Sequence, residues 1–473
     1  MPRFILTTTA LFGLLAGCSA PDLGPRPVPA APESLASGAS FADAAGAWPV
    51  EGWWQEWGDS QLDTLIAEGL AGSPDIAAAA ARVRAADALA QQAGAALMPR
   101  LGAEASAGGV QQSKTMGIPP QFVPDGIQDT GHVAATFSFD LDLWGRNRAA
   151  LAAATSEAEA ARVDAAQARL ILTTGVAAAY ADLAGQYAAL DVAREALRVR
   201  SASAQLSANR TRAGLDNQAS ASQADSRVAS ARADIAALEE AIALTRNRIA
   251  ALVGAGPDRG RTIDRPKLAA PTVDLPAGAG IELIGRRPDI VAARLRAEAA
   301  AKRIDVARAD FYPNISLTAL VGFQSLGLGN LFAAGSKYGS GGAAITLPIF
   351  EGGRIEGRYR GARADYDAAV ARYDGTLVAA LRDVADIVAS RAATARQLAD
   401  RRAALAAAAT AANLAGLRYR AGLDNQLVQL TAEDSMVALS RSVADLEARQ
   451  RTLDIALIRA LGGGYRAPTA TGE

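Results

Sequence analysis

The chain has 473 residues, half of them apolar, only 5% aromatic, and a formal net charge of −1. A charge so near zero leaves no basic footprint, which argues against a nucleic-acid partner. Alanine dominates the apolar residues; it favours helix but supplies little volume for compact cores, so the composition suits long helices packed side by side.

The N-terminus reads as a leader. Arg3 gives a positive start, and Phe4 to Ala16 form an apolar run too short to remain as a membrane-spanning helix. The run ends Leu15-Ala16-Gly17-Cys18, which resembles the lipobox of bacterial lipoproteins, where cleavage leaves the cysteine lipid-modified. Residues 1–17 are then a signal peptide and Cys18 a lipid anchor. It is the only cysteine in the chain, so no disulfide competes for it. By the same resemblance, Ser19 directs the product to the outer membrane. Each buried methylene of an acyl chain contributes ~0.8 kcal/mol. Residues 18–47, rich in Pro, Ala and Ser, read as a lipid-anchored flexible segment.

Trp48, Trp53, Trp54 and Trp57 open the folded chain, with Gly58-Asp59-Ser60-Gln61-Leu62 leading into a helix over about 60–97. Ser73-Pro74-Asp75-Ile76 interrupts it, with proline where its missing N–H is harmless. At Pro99 the period changes from helical to alternating. Leu101, Ala103, Ala105 and Ala107 face one way. After a polar loop (about 112–131), Val133, Ala135, Phe137, Phe139, Leu141 and Leu143 form an apolar face opposed by Thr136, Ser138, Asp140 and Asp142. This predicts a strand pair over 99–144, long enough to cross a bilayer as tilted barrel strands.

Gly145-Arg146 starts a helix that runs without proline to Gly214, about 65 residues or ~100 Å at the usual helical rise. Leu172, Val176, Ala179, Leu183, Leu190, Ala193 and Leu197 mark its stripe at coiled-coil spacing. The chain then reverses at the tip 210–218 and returns over about 218–253. Residues 255–280, rich in Pro and Gly, read as a connector.

A second repeat over 281–462 restates the first at 48–254. Arg287-Pro288-Asp289-Ile290 answers Ser73-Pro74-Asp75-Ile76, a strand pair is predicted over 313–350 with a Gly-rich loop at about 325–339, and Gly353-Arg354 opens another long helix. Its tip, 418–426, repeats the nonapeptide of 210–218 with one change, Tyr419 for Thr211, at an offset of 208 (422 − 214, glycine to glycine). Glycine suits a left-handed turn, and Asp and Asn suit bonds back to the backbone that cap the next helix. Residues 463–473 read as a disordered tail.

Four strands per chain cannot close a barrel, and an open edge in lipid leaves backbone groups unbonded at several kcal/mol each. Membrane strands of this kind therefore require several copies of the chain around one passage. Asp140 and Asp142 would then line a watery lumen.

Four stretches resemble the TolC-like outer-membrane factors, most closely the lipoproteins that serve resistance-nodulation-division (RND) efflux pumps. They are Trp53-Trp54 with Gly58-Asp59 and Leu62; Arg286-Arg287-Pro288-Asp289-Ile290 running into Ala309-Asp310-Phe311-Tyr312-Pro313; Leu347-Pro348-Ile349-Phe350-Glu351-Gly352-Gly353-Arg354; and Arg420-Ala421-Gly422-Leu423-Asp424-Asn425. The resemblance implies a homotrimer whose twelve shared strands form a β-barrel in outer-membrane lipid, continued by a periplasmic α-barrel of coiled-coil helices. It implies a periplasmic adaptor docking at Ala213-Gly214-Leu215 and Ala421-Gly422-Leu423, and an inner-membrane RND pump behind it. A gate at the tips would involve Arg210, Arg212, Asp216, Arg418, Arg420 and Asp424. The family commonly places an aspartate about nine residues after the tip glycine; Thr431 stands there in this chain, with Glu433 and Asp434 just beyond.

Nothing in the sequence builds a catalytic site. His132 is the only histidine and falls at a strand start, so no metal or cofactor is expected. Two alternatives share parts of this pattern: the duct of a type I protein exporter, and a coiled-coil lipoprotein that only tethers envelope layers.

Overall fold

The computed structural model describes residues 20–36, 38–41, 46–269 and 273–467. Cys18 and the leader, the proposed lipid anchor included, lie outside them. Contacts divide the chain into two compact units, one comprising Val83–Ala161 and Ala293–Tyr373 with the N-terminal residues to Pro29, the other Ala30–Arg82, Arg162–Ala292 and the chain from Asp374.

In chain order the helices and strands are α1 (Ser60–Gly72), α2 (Pro74–Ala95), β1 (Arg100–Val110), β2 (Gln128–Asp140), α3 (Arg146–Arg212), α4 (Gln218–Leu252), the short α5 (Pro257–Arg261), α6 (Ala279–Arg286), α7 (Pro288–Ala309), β3 (Asn314–Leu326), β4 (Lys337–Thr346), α8 (Arg354–Arg420) and α9 (Gln426–Ala460). In the helical hairpins the duplication holds without an insertion: α3 and α8 have 67 residues each, and α4 and α9 have 35 each. Pro74 and Pro288 each open a helix immediately after the preceding one stops, as their ring requires.

The first unit is organised by the sheet, which runs β1-β2-β3-β4 with every pair antiparallel. The register places Leu101, Phe137 and Ala319 in one row, Ala103, Ala135 and Val321 in the next, and Ala105, Val133 and Phe323 in a third. These rows make one apolar face. The opposite face carries Glu104, His132, Thr136, Ser138, Thr318, Gln324 and Tyr338. The alternation read from the sequence is therefore real, although both ribbons are shorter than predicted. The second strand stops at Asp140 rather than continuing through Leu143, and β4 starts inside the expected Gly-rich loop and ends at Thr346 rather than near 350. Leu101, Val321 and Ile345 are largely exposed.

Asp142 departs from the lumen-lining expectation. It lies beyond β2 with φ +39, and its carboxylate accepts the backbone N–H of Asn147 at 2.8 Å and of Arg148 at 3.0 Å. It caps the start of α3. Asp142→Ala is expected to lower stability by ~1–2 kcal/mol through the lost cap, whereas Asp142→Asn should retain most of it; thermal unfolding of the two variants makes the comparison. Beside it, Trp144 stacks on Tyr312 and donates to the carbonyl of Pro313 at 2.8 Å, while Asp310 receives Arg146 at 3.1 Å and Arg358 at 2.7 Å. Both long helices thus start from one carboxylate.

The N-terminal segment is not a loose tether where it is described. Arg363 donates to the carbonyls of Gly24 (3.2 Å) and Pro25, Tyr366 to that of Pro27 (3.0 Å), and Leu23 packs near Ile304 and Tyr359. Two side chains of α8, satisfying three carbonyls between them, hold the segment against the helix. The Pro/Ala/Ser composition did not reveal this because the binding groups come from more than 300 residues away.

In the second unit the indoles of Trp53 and Trp57 pack with Leu62, Leu65 and Ile66 against Val176, Tyr180, Leu183, Ile249 and Ile458. The Tyr180 hydroxyl donates to Asp59, which also caps α1. Burial pushes the Tyr180 hydroxyl well above its ordinary value. Small residues let helices approach closely: a Cβ on Gly185 would come within 2.5 Å of that of Ala448. Among the described residues no helix is long and apolar enough to cross a membrane.

Candidate functional site at the helical tips

Each long helix ends the same way. Gly214 and Gly422 adopt φ of +72 and +73, conformations that suit glycine. Leu215 N–H returns to the Arg210 carbonyl, and Leu423 N–H to that of Arg418, both at 2.9 Å. These six-to-one bonds satisfy carbonyls that the helix end would leave unbonded. The Asn217 carboxamide then accepts from Ser220 N–H at 2.9 Å, and that of Asn425 from Val428 N–H at 3.1 Å, capping the return helices. Asparagine alone does the capping. The two aspartates, given a share of it by the sequence reading, turn to arginines instead.

Here the copies diverge. In the second tip Arg418 bonds Asp424 at 2.5 Å, with more than half of the arginine exposed. In the first tip Arg210 bonds Asp216 at 2.8 Å with both side chains mostly covered. The same Asp216 oxygen also accepts the Tyr419 hydroxyl at 2.8 Å, and the Arg210 guanidinium lies 4.6 Å from the centre of the Tyr419 ring. Tyr419 is 1% exposed. Its burial, then its bond to Asp216, push the hydroxyl up to about 12. The first tip is thereby tied to the second through the one position at which the nonapeptides differ. Thr211, its counterpart, only reaches the Asn217 carbonyl. Arg212 bonds Asn209, and Arg420 bonds the Gly416 carbonyl at 3.2 Å; the structure brings neither to an aspartate. Leu215 and Leu423 are exposed beside the tip glycines.

A polar seam runs from this knot between α3 and α9. Ser207 donates to Gln426 at 3.2 Å, and Ser203 donates to Glu433 at 2.8 Å. Gln429 donates to the same carboxylate at 2.7 Å, and Arg200 and Arg227 bracket Asp434 at 3.0 and 3.1 Å. Glu433 is 7% exposed. The two acids after Thr431 are thus engaged by partners within the chain. Thr431 itself bonds back to the Leu427 carbonyl at 2.7 Å on an exposed helix face. Tyr419 and the seam residues Ser203, Ser207, Gln426 and Gln429 were missed by the sequence reading. For Tyr419 the signal was present, as the single mismatch in the repeat.

On the sheet, Asp140 does lie on the polar face, within 3.5 Å of the Asn314 carboxamide. His132 bonds Tyr338 there, with Glu104 at 3.8 Å.

A sheet with one apolar face and two edges unpaired among the described residues, on a chain whose long helical hairpins end in capped tips, defines the protomer of an outer-membrane channel. The sequence matches the outer membrane efflux protein family over residues 65–255 and 281–463, and the chain belongs to that family. It is 38% identical to the fusaric acid resistance protein FusA of Burkholderia cepacia, covering 76% of this chain and 69% of FusA. It is 31% identical to the multidrug resistance outer membrane protein MdtP of Escherichia coli K12, covering 92% of this chain and 91% of MdtP. The crystal structure of the outer membrane protein VceC of Vibrio cholerae superposes with a TM-score of 0.84 at 42% identity, covering 88% of this chain and all of that one. The protein is an outer-membrane efflux channel.

Proposed function

We propose that three copies of the chain pair β4 of one with β1 of the next, closing a twelve-stranded barrel that serves as the exit duct of a tripartite efflux pump. The duct is passive: it performs no chemistry, and the energy for export comes from an inner-membrane RND pump. A periplasmic adaptor docks at Ala213-Gly214-Leu215 and Ala421-Gly422-Leu423, where Leu215 and Leu423 offer exposed apolar contacts beside each turn. The resting entrance is held by Arg210, Asp216, Tyr419, Arg418 and Asp424. Cys18 carries the lipid anchor. The observation that carries this reading is the sheet: an apolar face set against a polar one, with two edges that no strand of the same chain covers among the described residues. Two open edges in hydrocarbon are unsustainable unless other copies pair with them.

The purified protein in mild detergent is expected to migrate as a heat-modifiable trimer and to conduct ions across a planar bilayer. Deleting its gene should sensitise cells to exported drugs or dyes. A monomer without conductance would sink the proposal.

A further inference from the structure

The connection between β3 and β4 does not project away from the sheet. The Asp129 carbonyl accepts Gly327 N–H at 2.6 Å, and its carboxylate accepts Leu328 N–H at 2.7 Å. This turns the loop back over the apolar face. Leu328 and Leu331 lie over Gly131, so that a Cβ there would meet them at 2.8 and 3.2 Å. Gly131 alternates onto the same face as Val133 and Ala135. Phe332 packs edge-on against Phe323 of that face, with ring centres 5.5 Å apart. Two short turns, Leu328–Asn330 and Ala334–Ser336, fix the loop, and the Ser336 hydroxyl donates to the Asn330 carbonyl at 2.7 Å.

The loop is ordered, with Leu331 buried against the sheet, yet two of its apolar side chains remain uncovered: Phe332 is 72% exposed and Leu328 45%. Lys337, the first residue of β4, pairs with Phe323 and emerges exposed on the same face. In the β1–β2 connection, by contrast, Lys114 is engaged by Asp125. The opposite ends of the strands continue into helices, which in an outer-membrane channel enter the periplasm. The β3–β4 loop therefore lies at the outer surface, continuous with the lipid-facing rows.

We infer that this loop is an outer-leaflet anchor for the phosphorylated glycolipid of the outer membrane. Leu328 and Phe332 enter its acyl chains, and the Lys337 ammonium meets its phosphate. An amphipathic surface of this kind, apolar below and cationic at its rim, matches an anionic lipid in both charge and depth. The inference rests on the channel reading, since only a membrane-inserted sheet presents this face to lipid.

The test uses the full chain with Cys18→Ser and Phe332→Cys, spin-labelled at the introduced thiol and reconstituted as the oligomer in phosphatidylcholine vesicles containing lipid A. Collisions with oxygen are expected to exceed those with a water-soluble nickel chelate severalfold. A reversed ratio would place the loop in water, and low values for both would place it under protein; either overturns the inference. In a second arm, Lys337→Gln should retain about fivefold less lipid A relative to phosphatidylcholine after gel filtration, the ratio set by roughly 1 kcal/mol per basic residue at an anionic surface. Equal retention would remove the phosphate contact. A conducting oligomer that fails these readouts overturns the anchor alone, whereas a Cys18→Ser chain that forms no oligomer counts against the channel.

Discussion

Alanine at Gly462 or at Gly254 is expected to destabilise the protein by about 2–5 kcal/mol, more than alanine at any of the tip glycines. Both residues end a return helix, with φ of +87 and +78. A Cβ on Gly462 would stand 1.9 Å from the Arg286 carbonyl oxygen, and one on Gly254 2.3 Å from that of Gly72. Each obstacle is the backbone at the end of a short helix, α6 or α1, two residues before the proline that starts the next. No side-chain rotation relieves it. The left-handed conformation alone contributes ~1–2 kcal/mol of strain for an L-residue, and displacing packed backbone adds ~1–3 kcal/mol. Gly214 and Gly422 provide the internal control, since their φ values are similar but nothing lies within 4 Å of a Cβ. Alanine there should show only the conformational strain. Thermal denaturation followed by loss of helical circular dichroism separates the two classes; equal shifts at all four glycines would contradict the close-approach account.

Much of this architecture is legible in the sequence, because its signals are local. The tip reversals follow from Gly and Asn at fixed offsets, and the apolar rows of the sheet follow from alternation through Val133, Ala135 and Phe137. What escaped depended on groups distant in sequence or on a single backbone angle. In the sequence the alternation runs on through Asp142, but φ +39 at that residue turns its carboxylate onto the first turn of α3. Residues 24–27 have the composition of a linker, yet Arg363 and Tyr366 fix them in place. Glu433 has the look of a surface acid two residues from an exposed threonine, but Ser203 and Gln429 take it into the seam. At Pro74 and Pro288 the helix breaks were legible; the glycines that close against them, 208 residues apart (462 − 254), were visible only as helix terminators.

Asp216→Ala is expected to raise single-channel conductance in planar bilayers well above the effect of Asp424→Ala, although the two residues occupy equivalent places in the repeat. The Asp424 pair with Arg418 is solvated on the arginine side, and solvent screening leaves such a pair little net effect. Asp216 instead receives a largely covered guanidinium and a buried hydroxyl. Bonds of that charged kind contribute ~1.5–3 kcal/mol each, and the guanidinium over the Tyr419 ring adds ~0.5–2 kcal/mol. Removing Asp216 also leaves Arg210 without its counter-charge. If these contacts hold the tips together at rest, a loss of ~3 kcal/mol shifts the opening equilibrium by roughly two powers of ten. Tyr419→Phe deletes one bond but keeps the ring, so its effect should fall between the two aspartate variants. The sign of the pH dependence follows from the raised Tyr419 hydroxyl. Its folded value of about 12 lies above the unfolded one, so the stabilisation is complete below about pH 10 and is lost only as pH rises through 12. The difference between the parent and Tyr419→Phe should therefore stay constant from pH 6 to pH 9, about three units below that titration. A difference that vanished within that interval would mean that the bond to Asp216 does not hold the entrance, and equal conductance in the two aspartate variants would mean that the asymmetry of the tips has no part in closure.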